Sequence, residues 1–309
     1  MKESLVSIGL PVYNGEKYLE QALESMRAQT YKNIEVIISD NGSTDRTQEI
    51  CQKYVCLDSR FRYYRNQANI GVARNFNRVF ELSSGEYFKW WAYDDLCAPT
   101  YLERCVSVLE NEPSVMVCHT MTGIIDQNSK LIGYYDDLLH FRSTMPWWRF
   151  YNYLFRPAGL WNAIYGVIRS SEFGKTPLHG DYLGADQVLL GELVLRGEVH
   201  RIPENLFLRR GHPEQFWRGK ASLSKMLSWF NPNKKKKIQF PVPLRLYLEY
   251  LRTVLRLKMK WYEQLLCSIF LLKWYLVHAV KPITFPYKKL ILSIFRLPLK
   301  EKFDPWNLV

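Results

Sequence analysis

Two adjacent carboxylates, Asp94 and Asp95, follow an apolar run and stand four residues before Pro99. Paired acids on a tight loop can hold a divalent cation; they can equally close a turn or cap a helix. Asp40-Asn41 ends a second apolar run, where its side-chain oxygens can accept from a ring N–H or fold back as an Asx-turn. Asp186 opens a helical segment, where its carboxylate places a favourable charge at a helix N-terminus. Near the end of this region Leu208-Arg209-Arg210-Gly211-His212 offers guanidinium groups for bidentate phosphate contacts and an imidazole that can ligate a metal.

The elements that must position these groups alternate. Residues 5–12 are an apolar, β-branched run closed by Tyr13-Asn14-Gly15, and residues 16–30 carry helical spacing at Leu19, Leu23 and Met26. Residues 34–39 make a second strand, and Thr44 is placed to cap a helix reaching Tyr54. Strands around 61–64, 87–92 and 115–120 then alternate with helices over 72–82 and from Pro99 to Glu110. Such a βαβα rhythm predicts a mainly parallel sheet covered on both faces. Ligands of these sheets bind at the carboxyl ends of the strands, which here carry Tyr13-Asn14, Asp40-Asn41 and Asp94-Asp95. One clear helix follows from Gly184 or Ala185 to Arg196, within an aromatic-rich region that includes Trp147, Trp148 and Trp161.

Composition excludes several classes. The 309 residues are 47% apolar and 23% charged, so the chain is neither disordered nor a coiled coil. Six cysteines without a Cys-x-x-Cys pair read as reduced thiols of a cytosolic protein. No signal peptide is visible, because the first apolar run is too short, and a cytoplasmic location is expected. Gly174-Lys175-Thr176 is no P-loop: Arg169 stands where the earlier glycine is required, and Pro177 follows. No Gly-x-Gly-x-x-Gly follows the first strand, which argues against a dehydrogenase-type dinucleotide fold.

Charge is divided unevenly. Residues 201–309 hold 22 Lys+Arg and 6 Asp+Glu, a balance of +16, against −4 for residues 1–200. An acidic body with a basic tail is not a nucleic-acid binder's pattern; it points to a segment that meets an anionic surface. That tail opens with Lys234, Lys235, Lys236 and Lys237. A helical pattern follows, with Arg245, Glu249, Arg252, Arg256, Lys260 and Glu263 on one side and Leu244, Leu248, Leu251 and Leu255 on the other. Residues 261–280 are more apolar, but Glu263 and Lys273 make a crossing costly. Helices lying in the interface are expected, ending with Lys288, Lys289 and Arg296, attached peripherally to the inner face of a membrane.

Four motifs in order then carry a resemblance. Ser7-Ile8-Gly9-Leu10-Pro11-Val12-Tyr13-Asn14 with Gly15-Glu16-Lys17-Tyr18-Leu19, Ser39-Asp40-Asn41-Gly42-Ser43-Thr44-Asp45, Asn69-Ile70-Gly71 with Arg74-Asn75, and Gly85-Glu86-Tyr87 leading to Tyr93-Asp94-Asp95 resemble family 2 glycosyltransferases. The likeness covers roughly residues 4–215. It implies an α/β GT-A fold with a Rossmann-like, mainly parallel sheet and helices on both faces, here with C-terminal amphipathic helices added. It also implies inverting transfer of a sugar from a nucleotide diphosphate donor. Under this resemblance residues 1–120 form the nucleotide-sugar-binding half, 121–230 the acceptor-binding and catalytic half, and 231–309 the membrane-associating segment.

The resemblance also implies roles. Asp95 is the expected ligand of Mg²⁺ or Mn²⁺, with His212 beside it, and Asp94 lies nearer the ribose. Pro11, Tyr13, Asp40 and Asn41 meet the base, and Arg74 and Arg210 meet phosphate. Asp186 is the base that deprotonates the acceptor, ahead of the competing Asp181, and Trp147, Trp148 and Trp161 form a platform for the acceptor sugar. The sequence departs from the family at Ala92, Asn41 and Ala185, where acids are usual. The reading is an inverting transferase using a UDP- or dTDP-sugar and a saccharide acceptor, expected to be lipid-linked, in surface polysaccharide or glycan synthesis. Its alternative is a non-catalytic nucleotide-sugar-binding or scaffold protein.

Overall fold

The computed structural model describes residues 3–157, 159–212 and 241–279. The lysines at 234–237 and Lys288, Lys289 and Arg296 lie outside the described residues. Strand β1 (Val6–Val12) is buried at every position because parallel strands β2 (Ile34–Asp40) and β4 (Tyr87–Trp90) flank it and helices cover both faces. Strand β3 (Phe61–Arg65) extends this half in parallel beyond β2. Gly9 lets helix α3 (Val72–Glu81) close on β1, since a Cβ there would lie 2.6 Å from Val79.

The second half of the sheet is mixed. β8 (Val167–Arg169) is antiparallel to both β4 and β6 (Val115–Ile125). β9 (Glu198–Arg210) runs parallel to β6 and antiparallel to the short β5 (Leu96–Cys97), and β7 (Leu131–Tyr135) pairs antiparallel with β6. The order is β3-β2-β1-β4-β8-β6-β9-β5. The parallel order expected for the first half therefore holds for four strands, whereas the hairpin-like returns of β5, β7 and β8 carried no separate signal.

Helices α1 (Leu19–Arg27), α2 (Thr47–Leu57) and α4 (Tyr101–Asn111) lie near their expected places. The cap expected at Thr44 is displaced: α2 begins at Thr47, whose N–H donates to Asp45 Oδ1 at 3.0 Å. Helix α5 (Pro146–Phe155), a single turn α6 (Ser170–Phe173) and α7 (Ala185–Arg196) complete the part before residue 213.

The described tail forms α8 (Val242–Arg256) and α9 (Trp261–Ala279). Its buried face on α8 is Leu246, Tyr250, Thr253 and Val254, a different set from the stripe of Leu244, Leu248, Leu251 and Leu255, of which Leu255 is exposed. The reason is the partner. α8 packs on α7 at Gly191, where an added Cβ would lie 2.7 Å from the Tyr250 ring. Cys267, Leu271 and Trp274 of α9 join the same core as α5 and α7. These two helices thus complete the globular core, and only their outer surface is left for anything else.

Candidate active site

Loops at the carboxyl edge of β1, β2 and β4 are stitched by polar contacts. Asn14 takes a positive φ of 50° and accepts the Thr44 N–H at 2.9 Å, while the Thr47 hydroxyl accepts the Gly15 N–H at 2.8 Å. Tyr13, 43% exposed, is open at this edge, and Arg74 is exposed on α3. Pro11 is buried within β1 opposite Ser39 of β2.

Asp40 and Asn41, expected to meet a base, are committed to the protein. The Ser43 N–H donates to Asp40 Oδ1 at 2.8 Å, and the Tyr63 hydroxyl and Arg65 donate to Oδ2 at 2.6 and 3.3 Å. Asn41 Oδ1 accepts from Asn66 and the Ile70 N–H, and its amide donates to Asn69. Both side chains are buried, so the Asx-turn reading describes what the structure shows.

After β4 the two acids diverge. Asp95 is buried, with Oδ1 accepting the Arg210 N–H at 2.9 Å. Burial first, and then the Asp94 charge, hold its carboxyl well above the usual range. Asp94 is less buried and places Oδ2 3.1 Å from His212 Nε2. Asp94 and His212 are therefore the pair that faces each other with metal-ligating atoms, while Asp95 anchors the loop from beneath. Two such donors suit a cation that takes its remaining ligands from phosphate and water. Among the described residues no group of three or more His, Cys, Asp or Glu converges on a metal position.

Arg210, expected on phosphate, is fully buried. Its Nε donates to the Asp94 carbonyl at 2.8 Å, Nη1 to Ser129 Oγ at 2.9 Å and Nη2 to Gln21 Oε1 at 2.8 Å. Tyr18 stacks beneath it, 4.7 Å from the guanidinium and 4.9 Å from the His212 ring. The Tyr18 hydroxyl has no hydrogen-bond partner among the described residues. Neighbouring strand residues point to opposite faces, and the guanidinium that reaches the cavity is that of Arg209. It donates to the Leu160 carbonyl at 3.1 Å and to Asn162.

That cavity measures about 380 Å³ and is lined by Asp186, His179, Tyr165, Arg209, Trp161 and Gln187, with Val242 and Leu246 of α8 closing one side. Gly184, at φ +82°, turns the chain into α7 and brings Asp186 into this wall; Asp181 does not line it. Burial raises the Asp186 pKa, opposed next by His179, whose own pKa burial lowers. His179 Nδ1 donates to the Gly180 carbonyl at 2.9 Å, and its ring packs on Phe76 and Trp90. Burial raises the pKa of Tyr165, the charge of Asp95 adds to that rise, and the residue shares this cavity wall with Arg209 and Asp186. Beneath it Lys89 is fully buried, donating to the Tyr165 carbonyl over the Tyr101 ring at 4.4 Å.

Of the aromatic platform, Trp161 alone lines the cavity. It holds a left-handed φ of 58° and carries the Arg156 guanidinium 3.8 Å above its ring. Trp147 and Trp148 sit on α5, Trp147 packing on Phe270 of α9 and Trp148 stacking on Tyr151. Arg209 was readable from strand alternation next to Arg210. His179 lies in an irregular loop and Tyr165 ends a four-residue 3₁₀ turn (Asn162–Tyr165), neither long enough to carry a periodic signal.

Comparison with known proteins gives the class to which this α/β sheet, with its acid–imidazole pair after β4, belongs. Residues 7–167 match the family model described as Glycosyl transferase family 2, and the chain belongs to that family. A putative glycosyltransferase of Bacillus subtilis, EpsH, is 27% identical over 212 residues, 69% of this chain and 57% of that protein. An uncharacterized glycosyltransferase of Rickettsia typhi is 38% identical over 128 residues, 40% of this chain and 38% of its own length. The chain thus spans less than two thirds of these curated relatives. Among solved structures, Staphylococcus aureus TarS 1–349 in complex with UDP-GlcNAc superposes with a TM-score of 0.63 at 14% identity, covering 92% of this chain and 77% of that one. The Pyrobaculum calidifontis mannosyltransferase PcManGT, in complex with GDP-Man and Mn²⁺, gives 0.54 at 13% identity, over 96% and 80%. The fold is that of the GT-A glycosyltransferases.

Proposed function

We propose that the protein transfers a sugar, with inversion, from a UDP- or dTDP-sugar to a saccharide acceptor that is lipid-linked, in surface polysaccharide or glycan synthesis. The carrying observation is the Asp94–His212 pair after β4, tied through Arg210 to the strand whose next residue, Arg209, lines the cavity together with Asp186 and Tyr165. The UDP and UDP-GlcNAc complexes of the TarS fold neighbour support a uridine nucleotide, and the Mn²⁺ complex of the mannosyltransferase supports a divalent cation.

Asp94 and His212 are the residues that would hold Mg²⁺ or Mn²⁺. When bound, such a cation neutralises the charge that develops on the departing diphosphate. Arg210 and Asp95 fix the backbone of that loop, and Arg209 offers its guanidinium to the diphosphate from the opposite strand face. Tyr13 flanks the nucleoside at the open edge. Asp186 accepts the proton of the acceptor hydroxyl as that oxygen attacks the anomeric carbon from the face opposite the leaving group. Trp161 positions the acceptor ring beside it.

Thermal unfolding with a panel of nucleotides and nucleotide sugars, each with and without Mn²⁺, tests this reading. A ligand at 100 times its dissociation constant adds about 2.7 kcal/mol, so a Mn²⁺-dependent shift with UDP or dTDP compounds is expected, lost in Asp94→Asn. Folded protein that shifts with none of them rejects the donor assignment.

A further inference from the structure

Helix α9 is apolar on two opposite sides, and the fold uses one of them. Cys267, Leu271 and Trp274 face the core shared with α5, α7 and α8. On the other side every exposed residue is aromatic or aliphatic: Trp261 at 76%, Leu265 at 52%, Ile269 at 51% and Leu272 at 47%, with Tyr262 beside them. Their steps of four, four and three place them on one stripe. A helix that is hydrophobic all round is normally buried all round, so this outer stripe calls for a second apolar partner.

The charges of α9 leave the stripe uninterrupted. Lys273, the residue that makes a crossing costly, turns its ammonium over the Phe155 ring of α5 at 5.4 Å. Glu263 accepts the Lys260 N–H at the helix start. Exposed basic residues instead collar the approach to α9: Lys258 and Lys260 in the turn before it, and on α8 Arg252 and Arg256, which also pair with Glu249 and Glu192. Trp261 and Tyr262 stand between collar and stripe, the position aromatic side chains take at headgroup level. Among the described residues no helix is long and apolar enough to cross a membrane.

We propose that the outer stripe of α9 lies in the surface of an anionic bilayer, with Leu265, Ile269 and Leu272 among the acyl chains and the basic collar on the headgroups. α8, by contrast, spends its apolar face on the protein. This surface stands apart from the transferase reading and does not depend on it.

Co-sedimentation of the full chain with vesicles tests it, using phosphatidylcholine alone and phosphatidylcholine mixed with phosphatidylglycerol. The wild type is expected to sediment with the anionic vesicles and to stay in solution with the zwitterionic ones. Leu265→Gln/Ile269→Gln, at exposed positions, should weaken partitioning by about tenfold per side chain with an unchanged unfolding temperature. Leu272→Gln, tested alone, gives the same direction should the double variant misfold. Three results overturn the proposal. One is wild-type protein that binds neither vesicle, which means that other residues of the chain cover the stripe. Another is a folded variant that sediments as well as wild type. The third is a wild-type dimer that becomes monomeric in the variant while vesicle binding stays the same, which makes the stripe an interface between copies.

Discussion

Asp186 and Asp94 do different work, and substitutions should separate them. Asp186→Asn removes proton acceptance and is expected to lower turnover roughly 10²–10⁴-fold while leaving donor affinity nearly unchanged. Because burial raises the Asp186 pKa, the acid limb of kcat/KM should lie above the ordinary aspartate value of about 4, with activity rising as pH rises. The same shift has a stability consequence of opposite sign. The folded state holds this proton more tightly than the unfolded chain, so the stabilisation present at low pH is lost as pH rises through the folded pKa. Denaturant titrations should therefore find Asp186→Asn at least as stable as wild type at pH 7. The neighbouring arginines offer a second contrast. Arg209→Gln should weaken donor binding about ten- to a hundredfold, whereas Arg210→Gln, which strips a buried network under Asp94 and Asp95, should cost about 3 kcal/mol of stability. At this scale the sequence showed which residue types converge but not which atoms face outward. Asp40, Asn41 and Arg210 have the right chemistry and are also hydrogen-bonded to their own neighbours, contacts that only three-dimensional packing sets.

Elements aim these groups. Gly184 sits at φ +82° with Leu246 of α8 2.9 Å from where a Cβ would lie. Gly184→Ala should cost about 1–3 kcal/mol in chemical denaturation and reduce turnover by tilting the first turn of α7, which carries Asp186. The alternation of strand and helix through residue 111 was legible because parallel strands buried on both faces read as continuous apolar runs. β5, with two residues, and β8, with three, are too short to leave a pattern. Helix α8 was legible as an amphipathic helix and was expected to lie in a membrane interface; its packing on α7, where Gly191 receives Tyr250, carried no sequence signal.

At the scale of the molecule, the described part of the tail, α8 and α9, packs into the same body as α5 and α7. Val242 and Leu246 wall the cavity that holds Asp186, and Tyr250, Val254, Leu271 and Trp274 fill the core behind it. Tyr250→Ala is expected to cost about 3–5 kcal/mol, seen as a lowered denaturation midpoint, and removing α8 and α9 should yield no soluble folded protein. Residues 231–309 read from sequence as a membrane-associating segment, and of these the described helices α8 and α9 bury one side in the fold. The central claim is that Asp186 acts on an acceptor beside a donor held from the strand ends. Its most direct test is the release of nucleoside diphosphate from a saturating nucleotide sugar with Mn²⁺, comparing wild type and Asp186→Asn alongside their donor affinities. Release that falls at least a hundredfold with affinity intact is the expected result; release at the wild-type rate in Asp186→Asn would contradict the account.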